Sequence, residues 1–299
     1  MTTTKRVRAT PVSFFQDDAQ RLDADVYSAL DAPRLAIAIC NGWRGTRGTL
    51  VPGVALGLAE RLPAVVMAFD YSGWGSSEGP RERLDPEQEV ADTRCAVSWL
   101  IQAFPNVMGR VGLFGLSFGG AVATLAAARD ERVRALVAVP TSASGRRLMR
   151  EQREHWRYVE FLETIATDRL QRVVHGRSRR VDPDWISIRD ATSAAFVRKL
   201  AEHDPSRHFE LDLVSAERIH EMVPDREAVR LRGRPTLFVA MGRDLRTPAQ
   251  QCQDVAEVAG GRFVEVPRLG HYYVYAPERL AWLLDLTAGF YRETLEPTS

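Results

Sequence analysis

One serine, one aspartate and one histidine in this 299-residue chain stand where a single reaction could use all three. Ser117 lies in Gly115-Leu116-Ser117-Phe118-Gly119. An apolar, β-prone run, Arg110-Val111-Gly112-Leu113-Phe114, precedes it, and a small-residue helical run, Gly120 to Ala128, follows. A serine between strand and helix, with glycine two residues to each side, is the nucleophile-elbow pattern. A serine hydroxyl is a weak nucleophile until it is held exposed beside a base. The sharp turn forces strained backbone angles on the serine, and glycines allow its neighbours to approach closely. The new helix aims its free N–H groups at the place where negative charge develops. An ordinary glycine-rich turn would show the same five residues; the flanking strand and helix favour the nucleophile. Candidate partners follow later in the chain. Asp244 lies in Gly242-Arg243-Asp244, past an apolar run, and His271 lies in Leu269-Gly270-His271, past another. The other histidines, His155, His175, His203, His208 and His220, fall in helical or polar surroundings.

Positioning three distant side chains requires a sheet whose strand ends converge. Val12–Phe15 and Leu22–Ala29 read as an antiparallel pair around a polar turn. Leu35–Cys40 is a continuous apolar run, as expected of a strand covered on both faces, Ala64–Phe69 is another buried strand, and Val133–Val139 and Pro235–Met241 read as further strands. Arg262–Val266 reads as a last strand. Helices are expected over Val54–Glu60, Pro86–Ala103, Pro248–Val258 and Pro277–Phe290. Alternating strands and helices mean a mostly parallel sheet with helices on both faces. Residues 142–232 break that rhythm and show no convincing buried strand. They are too long for a plain loop and read as a helical cap over the strand ends. The division is thus 1–141 with 233–299 as the core, and 142–232 as cap or lid.

Composition excludes several classes. Apolar residues make up 45% and the net charge is +1, so no global field points to nucleic acid or an anionic membrane. No apolar run approaches the length of a membrane span, and no signal peptide is visible, so a cytoplasmic setting is expected. Cys40, Cys95 and Cys252 are far apart and read as structural thiols in a reducing compartment. No cysteine or histidine cluster suggests a metal. The basic run Arg169 to Arg180 reads as a solvated face, or as a contact for an anionic or carrier-linked substrate.

From about residue 11 to 293 the chain resembles the α/β-hydrolase superfamily. The matching pieces are the elbow, the Gly-x-Asp turn before Thr247-Pro248 and the Gly-His turn. Their order, Ser117, Asp244, His271, is the chain order of that family's triad. The resemblance implies an eight-stranded, mostly parallel sheet with the cap inserted after the sixth strand. It implies Ser117 as nucleophile, His271 as base and Asp244 as the residue that orients the histidine. The N–H groups of Phe118 and Trp43 would form the oxyanion hole. Family members often carry His-Gly before that second donor; here Asn41-Gly42 stands instead. Asp70-Tyr71-Ser72-Gly73-Trp74-Gly75-Ser76 resembles a recurrent family loop that packs beside the elbow. Asn41, Trp74, Trp156, Trp185 and Tyr272 are candidates for the substrate pocket.

The function expected is cleavage of a carboxylic ester or thioester of a small to medium acyl substrate, free or carrier-linked, through an acyl-serine. No cofactor or metal is called for, and a monomer or homodimer would serve. The same triad supports acyl transfer, lactone formation or elimination. A non-catalytic ligand-binding protein on this fold would be expected to lose a triad residue. Haloalkane or epoxide chemistry would want aspartate at the elbow, and no acidic pair in the cap suits a free amino terminus.

Overall fold

A computed structural model describes residues 6–187, 190–203 and 210–296, with only the backbone given for 200–203. In chain order the elements are β1 (Arg8–Phe15), β2 (Arg21–Ser28), β3 (Leu35–Cys40), α1 (Val51–Arg61), β4 (Ala64–Phe69), α2 (Pro86–Ala103), β5 (Val111–Leu116), α3 (Phe118–Arg129) and β6 (Val133–Val139). Then come α4 (Gly145–Glu151), α5 (His155–His175), β7 (Arg180–Val181), α6 (Pro183–Ile186), α7 (Ala191–His203), β8 (Leu211–Asp212), α8 (Val214–Glu221) and α9 (Pro224–Glu227). The chain closes with β9 (Thr236–Met241), α10 (Ala249–Ala259), β10 (Arg262–Val266) and α11 (Pro277–Leu295).

Among the described residues, eight strands form one sheet in the order β1-β2-β4-β3-β5-β6-β9-β10. β1 with β2 and β2 with β4 are antiparallel; every other pair is parallel. The apolar runs form central strands because both their faces are covered. In β3, Ala36, Ala38 and Cys40 join the core under α2, α3 and α10. Leu35, Ile37 and Ile39 join the opposite core under α1 and α11. β1 begins at Arg8, earlier than its apolar residues suggest, because its pairing with β2 runs from Arg8↔Ser28 to Phe15↔Arg21. The segment between β6 and β9 is mostly helical. Its two-residue strands pair as a ribbon, Arg180↔Asp212 and Val181↔Leu211, which no periodicity announced. Among the described residues, no helix is long and apolar enough to cross a membrane.

The chain runs outward from β3 to β4, then returns to place β5 on the other side of β3. Loops leaving the carboxyl ends of β3 and β5 therefore diverge and leave a crevice between them. That crevice lies beside Ser117.

Much of the basic run is paired with carboxylates at the surface. Arg169 pairs with Glu217 and Glu221, Arg172 with Asp168 and Glu217, and Arg180 with Glu82 and Asp212. Apart from Asp168 on the same helix, the acids come from elsewhere in the chain, so the run itself shows none.

One buried carboxyl has a measurable consequence. Glu89 on α2 is 5% exposed and its Oε2 has no hydrogen-bond partner. Burial first, then the charges of Asp92 and Asp85, push it well above the usual carboxylate range. The folded protein holds a proton that the unfolded chain releases, so stability is full below the unfolded pKa and declines as pH rises toward the folded one. Glu89→Gln is expected to stabilise the protein at neutral pH by about 1–3 kcal/mol. That gain should vanish in acid. Melting curves across pH check this; identical curves for both proteins at neutral pH would refute it.

Candidate active site

Ser117 ends β5 and caps α3 with φ 55° and ψ −121°, a strained conformation for a residue with a side chain. The turn is held by Ser117 N–H to the Val139 carbonyl at 2.8 Å and Gly120 N–H to the Ser117 carbonyl at 2.7 Å. Two glycines make it sterically possible. A Cβ on Gly115 would lie 2.4 Å from the Gly119 carbonyl oxygen, and one on Gly119 would lie 2.2 Å from that of Cys40. The strand-to-helix turn and the loop after β3 thus touch backbone to backbone.

Asp244 follows β9 and His271 follows β10; His271 reaches Ser117, and Asp244 reaches His271. Ser117 Oγ lies 2.7 Å from His271 Nε2, and His271 Nδ1 lies 2.6 Å from Asp244 Oδ2. The histidine and aspartate are 4% and 5% exposed. Asp244 Oδ1 accepts the N–H groups of Arg246 at 2.8 Å and Thr247 at 2.9 Å. The carboxylate is therefore fixed from one side by the loop and presents its other oxygen to the imidazole. With Nδ1–H donated to Asp244, Nε2 is left as an acceptor for the serine proton.

The loop after β3 stands opposite. Gly42 packs so closely that a Cβ there would lie 3.4 Å from Ser117 Cβ. Trp43 meets Phe118 edge-on, with ring centroids 5.7 Å apart. No backbone carbonyl takes the N–H of Phe118 or of Trp43 among the described residues. Asp70 steadies this loop: it accepts Arg47 N–H at 2.7 Å and Ser76 N–H at 3.2 Å, and pairs with the Arg47 guanidinium at 3.5 Å. Its carboxyl is raised by burial, a cost partly offset by those donors.

A cavity of about 20 Å³ adjoins Ser117, lined by Trp43, Phe118, Ser142, Leu148, Met149, Gln152, Ser187, Ile219, Arg246 and Thr247. That is room for little more than one water molecule. Several sequence candidates lie elsewhere. Asn41 is fully buried behind the loop, donating to the Phe69 carbonyl at 2.5 Å. Trp74 is buried in the core. Trp156 is 62% exposed, with Arg157 over its ring. Trp185 stacks on Phe161 at 5.1 Å. Tyr272 packs edge-on against His271 at 4.8 Å and stacks on Phe196 at 4.3 Å. None of the five lines the cavity. The aromatics of the insert serve mostly to pack it, because large flat side chains fill helix interfaces well.

Missed in the sequence were Arg246, Gln152 and Ser187. Arg246 could have been noticed as a charge two residues past Asp244; nothing marked the other two. Two other thiols and one other histidine are buried or engaged. Burial pushes the thiols of Cys40 and Cys252 up to about 12. His220 bonds Tyr158 Oη at 2.9 Å, and burial with Arg146 lowers its pKa. His208 lies outside the described residues. Among the described residues, no cluster of three or more His, Cys, Asp or Glu could hold a metal ion.

Residues 37–281 match the model of the alpha/beta hydrolase family. The chain belongs to the alpha/beta hydrolase family. Relatives of this hydrolase differ in what is known of them. An uncharacterized 31.7 kDa protein of the traX-finO intergenic region of Escherichia coli is 27% identical over 242 residues, covering 80% of this chain and 84% of that one. The thiohydrolase aneE of Aspergillus aculeatus is 32% identical over 129 residues, 43% of this chain and 40% of the other. GrgF of Penicillium, a polyketide transferase, is 31% identical over 105 residues, 35% of each chain. The crystal structure of alpha/beta hydrolase GrgF from Penicillium sp. sh18 superposes with a TM-score of 0.79 at 18% identity, covering 96% of this chain and 99% of that one. At that identity the superposition establishes a shared fold.

Proposed function

We propose that this alpha/beta hydrolase cleaves a carboxylic ester or thioester of a small to medium acyl substrate through an acyl-Ser117 intermediate. The observation that carries the reading is the relay Asp244–His271–Ser117, hydrogen-bonded at 2.6 Å and 2.7 Å. As Ser117 Oγ attacks the acyl carbon, His271 Nε2 takes its proton, and Asp244 stabilises the imidazolium. The N–H groups of Phe118 and Trp43 receive the oxyanion; one such donor is worth about 3 kcal/mol of barrier. His271 then returns the proton to the leaving oxygen or sulfur. Water, deprotonated by His271, attacks the acyl carbon and frees Ser117 with release of the acid. The helices between β6 and β9 act as a cap, since Leu148, Met149, Gln152 and Ile219 roof the cavity. The three free cysteines suit a cytoplasmic setting.

A second reading is acyl transfer to an acceptor other than water. The GrgF likeness favours it. Incubation with esters and thioesters of graded acyl length, with and without alcohol acceptors, tests both. Free acid together with a mass adduct of the acyl group on Ser117 is the expected result. An acylated acceptor without free acid would favour transfer. Turnover without any adduct on Ser117 in quenched samples would overturn both.

A further inference from the structure

Among the described residues that line the Ser117 cavity, Arg246 is the one charged side chain. It is 6% exposed. Its Nη2 donates to Ser187 Oγ at 2.9 Å, while its Nη1 is buried without a partner. The nearest carboxylate in sequence, Asp244, is already engaged: Oδ2 faces His271 and Oδ1 accepts two backbone N–H groups. Gln152 is in a similar state. Its Nε2 donates to the Arg246 carbonyl at 3.0 Å, and its Oε1 is buried with no donor. The cavity thus has a reactive end at Ser117 and a polar end where a guanidinium has no ion-pair partner among the described residues.

Such an arrangement is unfavourable in the empty protein. A buried cation with no ion-pair partner among the described residues carries a desolvation cost that its hydrogen bond to Ser187 offsets only in part. A tie between Ser187 and the Asp244 loop would need only a neutral donor. A guanidinium adds a planar fork of N–H groups that matches a carboxylate. The acyl group is the part of the substrate that stays attached to Ser117 after the leaving group departs. We infer that Arg246 recognises a carboxylate carried on the acyl portion of the substrate, so that the preferred substrates are half-esters or half-thioesters of short dicarboxylic acids. This rests on the acyl-serine reading above. The chain enters by displacing Leu148 and Met149, of which methionine is the more deformable.

The test compares monoethyl glutarate with ethyl 5-oxohexanoate, which has the same length and ends in a neutral methyl ketone. The natural protein should prefer the acid in kcat/KM by on the order of 10- to 100-fold. Arg246→Met should erase that preference, and Arg246→Lys should restore part of it. Damage to the fold lowers both rates alike, so the ratio isolates charge recognition. A second readout needs no turnover. Glutarate, but not glutaramide, should slow labelling of Ser117 by a fluorophosphonate, and Arg246→Met should abolish the protection. Equal kcat/KM for both esters, or a preference that survives Arg246→Met, overturns the inference while leaving the acyl-serine reading intact. Absence of fluorophosphonate labelling at Ser117 overturns both.

Discussion

Ser117→Ala is expected to reduce kcat on any ester or thioester by about a million-fold, the scale seen when a triad serine is removed. The size follows from the site. Ser117 Oγ is the oxygen that His271 Nε2 contacts, at 2.7 Å. Cys40 and Cys252, whose thiols burial pushes up to about 12, offer no thiolate in its place. The oxyanion donors survive the change, so a small residual rate over water is expected. The fold should survive as well, because the turn depends on the backbone bonds of Ser117 and Gly120 and not on the hydroxyl. Fluorophosphonate labelling, turnover and circular dichroism of the variant are the measurements. Retained labelling in a folded Ser117→Ala protein would show that another residue is the nucleophile.

Asp244→Asn should cost about ten-thousand-fold in kcat with little change in the fold. Oδ1 of the asparagine can still accept the N–H groups of Arg246 and Thr247, which hold the loop. The amide nitrogen then faces His271 Nδ1, where the carboxylate accepted at 2.6 Å. Two donors cannot share one proton position. The imidazole must therefore place its proton on Nε2, where it can no longer receive one from Ser117. Binding of a substrate analogue should be nearly unchanged, because the loss lies in proton transfer. Turnover within tenfold of the natural protein would assign the orienting role to another carboxylate.

Much of this was legible in the sequence. β3 and β4 are continuous apolar runs because each strand is covered on both faces, and such runs announce themselves in composition. The elbow was legible because only glycine permits backbone contacts as close as those of Gly115 and Gly119. Less legible was the pocket. Trp74 and Trp156 were drawn in by residue type, yet the first fills the core and the second lies on the surface. Residue type says that an aromatic will pack; it does not say against what.

The covalent sequence by itself determined the order of strands and helices, the strained serine turn and the two loops bearing Asp244 and His271. These are local properties, set by periodicity and by the allowed backbone angles of glycine. Only the tertiary structure decided that Arg246 shares a cavity with Ser117 and has no ion-pair partner among the described residues, while the arginines at 169, 172 and 180 have theirs. Charge pairing depends on distance in space, and the carboxylates that neutralise the basic run, Glu82, Asp212 and Glu217, arrive from elements far along the chain.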